Sequence, residues 1–479
     1  RSIRSNGASS KKSKKISMSE TAASFIAKST IKAADLEHRR KINFNISKYN
    51  AVVPIGKSQF TDVNITRERA KNIKWDAIEN LDKYLLEFEQ KITARGATVI
   101  WANDTAEALE AIGKICKERN CKTLVKSKSM VTEEIHLNDF LEASGIESVE
   151  TDLGEYIQQL DGEPPYHIVT PAMHKSKEDV AKLFANKLGT KPDLTPEELT
   201  QVARIKLREK YTEAQVGVTG ANFLIADVGG IAITENEGNG RLSCAWPKTH
   251  IAVVGIEKMI PSMHDLPLFW PLLATYGTGQ KVTVYNSILT GPKQAGESDG
   301  PEEMFVILLD NGRTNLLANP TAREALYCIR CGACLNACPV YKNIGGHSYE
   351  TTYSGPIGKV ITPYLSGVDE YKHLSNASSL CGNCTEVCPM RINLHELLLD
   401  NRHEAVTQGT STLAERVAWK AWMVASLNRP MMNMGNGKMK NWVVNKVFKG
   451  WAVHRSELDF TPKTFNEMWK EKTTSRPRP

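Results

Sequence analysis

Cys328-Ile-Arg-Cys331-Gly-Ala-Cys334-Leu-Asn-Ala-Cys338-Pro339 and, further on, Cys381-Gly-Asn-Cys384-Thr-Glu-Val-Cys388-Pro389 decide the class of this 479-residue chain. The spacings are C-x2-C-x2-C-x3-C-P and C-x2-C-x3-C-P, and the two blocks hold seven of the ten cysteines. Two-residue gaps let three thiolates wrap one corner-sharing iron–sulfur cube. Small residues such as Gly332 and Ala333 let backbone amides approach the sulfides, and the proline turns the chain so that the last cysteine serves a neighbouring cluster. Zinc knuckles would leave the longer run unexplained. The opening residues contain no charged-then-apolar leader, so a reducing compartment is expected and disulfides are not.

By the two-cluster logic, Cys328, Cys331, Cys334 and Cys388 ligate the first cluster, and Cys338, Cys381 and Cys384 ligate the second. Local pairing of the first four cysteines is the alternative. The second set lacks a fourth thiolate, because Ser378 stands where the full motif would place it, three residues before Cys381. Both centres are expected to be [4Fe-4S]. For the second, a [3Fe-4S] cluster and a four-iron cluster with an oxygen or exogenous ligand stay open. Cys116 and Cys121 read as small buried hydrophobes. Cys244 carries a weak case for a redox role.

Working outward, the composition is globular, with 41% hydrophobic and 24% charged residues. Mean hydropathy is −0.35, and no run of about eighteen apolar residues offers a membrane span. The net charge of +7 is unevenly placed: residues 1–17 contribute +6, residues 410–479 contribute +8, and the intervening body is −7. A mildly acidic body argues against nucleic acid as a partner. Residues 1–17 read as a disordered basic leader or cloning scar ahead of a natural start at Met18. The expected location is the cytoplasm, with membrane association on its cytoplasmic side as the alternative.

Between the termini, periodicity predicts a helix over Arg67–Thr93. Short apolar strands then alternate with helices: Thr98–Trp101, Thr123–Val125, a helix near Thr132–Glu142, Tyr166–Thr170, and a helix over Ser176–Lys187. Further strands are expected at Phe223–Ala226, Ile231–Thr234, His250–Gly255, Lys281–Tyr285 and Met304–Leu309. This alternation predicts a parallel or mixed sheet flanked by helices. The expected division is 18–66 as an N-terminal extension, 67–312 as an α/β domain, 313–395 as the two-cluster ferredoxin-type module, and 396–479 as a helical, Trp-rich basic region.

Glycines cluster at 217–220, 229–240 and 277–279, without a dinucleotide fingerprint or P-loop. They read first as tight turns. Thr234, Glu235, Asn236 and Arg241, crowded at one strand end, form a candidate ligand loop. The scattered histidines, among them His136, His167, His174, His250 and His264, read as structural. In the tail, Trp419, Trp422, Met423, Val443, Val447 and Trp451 fall at helical spacing beside Arg416, Lys420, Lys446 and Lys449. That pattern fits docking on a partner subunit, with peripheral membrane contact as the alternative.

Taken with the segment ADVGGIAITENEGNGRL, the blocks CIRCGACLNACPVY and SSLCGNCTEVCPMRINLHELL, and the Trp-rich tail, the chain resembles the lactate utilization protein B family. The incomplete second block belongs to that family's pattern, which supports the crossed pairing of cysteines. The resemblance implies an α/β domain related to CoA transferases and sugar-phosphate isomerases, followed by a dicluster ferredoxin domain and a helical C-terminal region. It also implies a role as electron carrier in oxidation of L-lactate to pyruvate, in a complex with two other lactate-utilization subunits and an electron acceptor. No catalytic residue is then required of this chain. Two other functions are open: a hydroxy-acid enzyme using the incompletely ligated cluster as Lewis acid, and a metabolite-sensing scaffold whose clusters only stabilise the fold.

Overall fold

The computed structural model describes residues 19–447 and 456–474. Residues 19–408 form one compact unit, and the described residues from Gly409 onward belong to another.

Among the described residues, ten strands form two sheets. The larger is wholly parallel, with six strands: β1 (Thr98–Ala102), β2 (Thr123–Lys126), β3 (Glu147–Glu150), β4 (Val216–Thr219), β7 (Thr249–Gly255) and β10 (Glu303–Leu309). Their order is β1-β10-β7-β4-β2-β3. Every residue of β2, β4 and β7 is buried, as expected for parallel strands covered on both faces. One face packs Ile112, Leu137 and Leu141 against Val218, Val253 and Ile307. The other packs Leu85, Phe88 and Ile92 against Ala252, Val254 and Val306. At Gly217, a Cβ would collide with the carbonyl oxygen of Ser243, so only glycine lets the helix Asn239–Ala245 lie this close to β4.

The second sheet has the order β8-β5-β6-β9, made of β5 (Phe223–Ile225), β6 (Gly230–Glu235), β8 (Met259–Ile260) and β9 (Tyr285–Leu289). β6 runs antiparallel to β5 and β9, and β5 runs parallel to β8. Its apolar face joins the largest core, where Phe223 and Phe269 meet Tyr341, Leu335 and the block cysteines. The cysteine-rich region is therefore packed into the α/β domain.

Several elements differ from expectation for local reasons. The helix expected over 67–93 is two helices, Val63–Glu79 and Leu81–Thr93. They part at Asn80, whose amide donates to the Asp76 carbonyl and carboxylate instead of pointing to solvent. The helix near 132–142 breaks at His136, which is left-handed at φ 53°. Tyr166–Thr170 is a closed loop and no strand: Tyr166 N–H donates to the Pro171 carbonyl, and the amides of Val169 and Thr170 donate to His167 Nδ1. These three amides are spent within the loop, and side chains rather than a strand take the Tyr166 and Val169 carbonyls. The strand expected at 281–285 begins only at Tyr285, because Asn286 Nδ2 donates to the Thr283 carbonyl and makes a turn there.

The N-terminal extension holds the helices Glu20–Ala34 and Leu36–Lys57. The expected limit at 66/67 falls within the helix Val63–Glu79, and that at 395/396 within Leu394–Thr407. The second unit contains the helices Leu413–Leu427, Arg429–Met432, Gly437–Val447 and Phe465–Thr474. Trp419, Trp422, Met423 and Val443 are exposed on it. Lys449 and Trp451, and the side chain of Val447, lie outside the described residues. Among the described residues no helix is long and apolar enough to cross a membrane.

Candidate metal centre and the adjoining cavity

The two cysteine blocks fold alike. Arg330 and Gly332 flank Cys331 with φ of 61° and 80°; Leu380 and Gly382 flank Cys381 with 54° and 79°. Two left-handed residues around one cysteine turn successive amides inward, a geometry suited to anionic sulfur. Short helices follow in both blocks, Ala333–Ala337 and Asn383–Glu386, and each block closes on Cys-Pro. In this repeat Ser378 occupies the place of Cys328. Its hydroxyl accepts a 3.1 Å bond from Leu380 N–H.

Cys328, Cys331, Cys334 and Cys388 line one narrow cavity together with Ile168, Ile357 and Met390. No carboxylate or imidazole lines it. Burial, reinforced by neighbouring thiols, pushes the Cys331 and Cys334 thiols up and that of Cys388 up to about 12. Four clustered thiols, three of them buried, cannot ionise together without a cationic centre, and soft metal–sulfide chemistry supplies one. The residues therefore fit an iron–sulfur cluster. Cys338 and Cys384 are buried and Cys381 is exposed; Cys384 is raised by burial and by both of the others. Asn383 Nδ2 donates to the Ala337 carbonyl at 3.2 Å and ties the blocks together. All ten cysteines are free. Cys116, Cys121 and Cys244 are buried in the sheet cores, away from both sets.

Charges the sequence did not single out surround these thiols. Lys359, 1% exposed, stands 4.0 Å from Cys338 Sγ, and its ammonium donates to the Ala377 carbonyl. Burial lowers its pKa, while Cys338, Cys384 and Cys334 oppose that shift. Beside the first set, Arg330 bonds Glu257 at 3.3 Å and lies 4.4 Å from the Tyr353 ring centroid. Glu257 also takes Arg313, and the Lys74 ammonium donates to the carbonyls of Glu257 and Met259. Arg313, Arg330 and Lys258 hold the Glu257 carboxyl down at about 2 despite its burial. Arg67 reaches from the helix Val63–Glu79 to the carbonyls of Glu386 and Cys388.

A second cavity, of about 380 Å³, opens at the carboxyl ends of the parallel strands. Ser127–Val131 follow β2, Asp152 follows β3, Gly220–Asn222 follow β4, and Lys258 lies three residues past β7; all line it. Open α/β sheets bind ligands at this edge. Thr234, Glu235 and Asn236 line the cavity, as do Arg330 and Cys331 of the first block. Arg241 does not. It is exposed over the Tyr285 ring, and only its backbone N–H serves the loop, donating to Glu235 at 2.8 Å. Three of the four residues expected in a ligand loop thus line the cavity, beside Glu237 and Asn239, while Arg241 contributes through its backbone. Burial raises Glu235, and burial with the nearby Asp152 pushes Glu237 up to about 7.

The histidines fall into ordinary surroundings. His250 is buried on β7, 2.9 Å from the Thr219 hydroxyl. Glu163, His174 and His347 place potential ligand atoms within 4.8 Å of one another. Lys175 already pairs with Glu163 at 2.9 Å, and His347 Nε2 bonds the Pro164 carbonyl at 2.7 Å. His174 Nε2 is 3.0 Å from Glu163 Oε2, so the contacts that bring the three together are already protein ones.

A parallel α/β domain with a paired cysteine module packed on it defines an iron–sulfur protein. Residues 85–309 match the LUD domain, and residues 324–392 match the 4Fe-4S dicluster domain. Lactate utilization protein B of Bacillus velezensis is 47% identical over 372 residues, covering 77% of this chain and 78% of that protein. The protein of the same name from Bacillus subtilis is 43% identical over 429 residues, covering 85% and 89%. The chain belongs to the lactate utilization protein B family.

Proposed function

We propose that this chain is an iron–sulfur electron-transfer subunit that takes part in oxidation of L-lactate to pyruvate within a multiprotein complex. The relatives' name supports the metabolic setting. The electron-carrier reading rests on the adjacent cysteine sets, bridged by Asn383 and Lys359. Cys328, Cys331, Cys334 and Cys388 hold the first cluster, and Cys338, Cys381 and Cys384 the second, within a module spanning 313–395. When bound, the clusters supply one-electron redox centres of tunable potential. The protein's own residues bury the thiols, exclude water through Ile168, Ile357 and Met390, and place cations beside the sulfur. The complex contains two other lactate-utilization subunits and passes electrons to an acceptor.

The alternative, hydroxy-acid catalysis at an incompletely ligated second centre, draws less support: the cavity at the strand ends meets Cys331 of the first set, with no cysteine of the second in its lining. The test is to reduce the anaerobically purified chain and follow cluster reoxidation with and without the two partner subunits and a quinone. Reoxidation that requires partners and acceptor supports the carrier. Lactate turnover by the isolated chain rejects it.

A further inference from the structure

The cavity at the carboxyl ends of β2, β3, β4 and β7 has two chemically different ends. Towards the mouth stand Asp152, Glu235 and Glu237. Glu235 is held by the Gly240 and Arg241 amides, and Glu237 accepts from Leu153 N–H at 3.1 Å. The other end, beside Cys331 and Tyr353, carries Lys258 and Arg330. Lys258 is 7% exposed, and its ammonium has no hydrogen bond or ion pair among the described residues. Arg330 Nη1 is buried without a partner, although Nη2 reaches Glu257. Lys128, the remaining cation, already donates to the Val169 carbonyl at 2.8 Å.

A buried cationic donor without an acceptor is costly, and Arg330 Nη1 stands so in a cavity that Lys258 also lines without a protein acceptor of its own, which leaves a ligand to supply the oxygens. Glu257 and Cys328 offer Lys258 attraction through space, against the repulsion of Arg330 and Arg313. They do not account for a roomy polar cavity in front of it.

We propose that this cavity is a binding site for a small organic oxyanion, its carboxylate or phosphate oxygens received by Lys258 and Arg330 beside Cys331. The rest of the ligand, carrying hydroxyl or other donor groups, faces Glu235 and Asn236. The α/β domain is then a ligand-binding domain that reports to the first cysteine set. This deepens the proposed function and rests on it only for the spectroscopic readout, since binding itself is measured independently of electron transfer.

The test uses the full chain, purified anaerobically with its clusters. L-lactate, pyruvate and inorganic phosphate are titrated separately by calorimetry, and reduced-state EPR spectra are recorded with and without each. Saturable binding of at least one of the three, perturbing one cluster signal, is expected. Lys258→Met should weaken that binding about tenfold or more while iron content stays at the parent level. Thr234→Val, at the other end, should weaken a hydroxylated ligand more than phosphate. Preference for lactate or pyruvate identifies the oxyanion as a carboxylate, and preference for phosphate identifies a phosphate ligand. No saturable binding of any of the three overturns the proposal. So does a Lys258→Met chain that binds undiminished but shows an altered cluster spectrum, because Lys258 would then serve only the cluster. Loss of partner-dependent reoxidation with binding intact would reject the carrier reading alone.

Discussion

Replacing Lys359 by Met should lower the reduction potential of the second cluster. Lys359 lies in the helix Gly355–Ser366, is almost wholly buried, and has its ammonium 4.0 Å from Cys338 Sγ. A unit charge at about 4 Å from another interacts by about 4 kcal/mol at an effective dielectric of about 20. An added electron spreads over the whole cluster, so an average separation of about 8 Å and an interaction of about 2 kcal/mol are more suitable. For a one-electron couple, about 59 mV corresponds to about 1.4 kcal/mol, so the expected fall is about 90 mV. Met has a stem of similar length without the charge, and Lys359→Arg, which retains the charge, should restore most of the potential. The assay is an EPR-monitored redox titration of both clusters, with iron content and circular dichroism as controls for folding. Because Lys359 is buried, the shift should persist at high salt. A shift below about 20 mV in a correctly loaded chain, or an equal shift in both clusters, would refute the electrostatic reasoning.

Three further outcomes follow from other parts of the molecule. Ser378→Cys restores the missing thiol at the position equivalent to Cys328; iron should reach about eight per chain and any oxidised three-iron EPR signal should vanish, whereas a persistent signal would contradict the repeat register. Gly217→Ala drives a methyl group into the Ser243 carbonyl, so the urea midpoint should fall by the equivalent of about 1–3 kcal/mol or more, and an unchanged midpoint would contradict the close helix approach. Burial lowers the His250 pKa to about 4, below its unfolded value, so the unfolded chain protonates first; stability is complete above about pH 6.5 and is lost towards pH 4. Between about pH 8 and 5.5 this one residue should cost about 1.4 kcal/mol, and His250→Gln should flatten that part of a denaturation–pH profile.

Much of the metal centre was legible because its signal is local. Cysteine spacing states which thiols share a short turn, and Ser378 shows its gap in the same way. Strands with uniform apolar character, such as β7 and β10, were legible for a similar reason. Tyr166–Thr170 has a strand's composition, but its amides bond within the loop, a choice that Pro171 and His167 make in three dimensions. Strand β4 was hidden because Gly217 reads as a turn residue, while its purpose is to admit the Ser243 carbonyl. The cavity was only partly legible. Thr234, Glu235 and Asn236 crowd one strand end, whereas Lys258, Arg330 and Asp152 come from distant segments that meet only once β2, β3, β4 and β7 align. Lys359 carries no sequence mark of any kind. Its importance comes from lying beside Cys338 in a position almost wholly buried.

The central claim is that two adjacent clusters occupy the two cysteine sets as an electron relay. The most direct measurement is EPR with iron and sulfide counting on the anaerobically purified full chain, followed by stepwise reduction. The account predicts about seven to eight irons per chain with matching sulfide, and reduced signals broadened by coupling between two neighbouring spins. About four irons with a single isolated signal, or zinc in place of iron and sulfide, would contradict it.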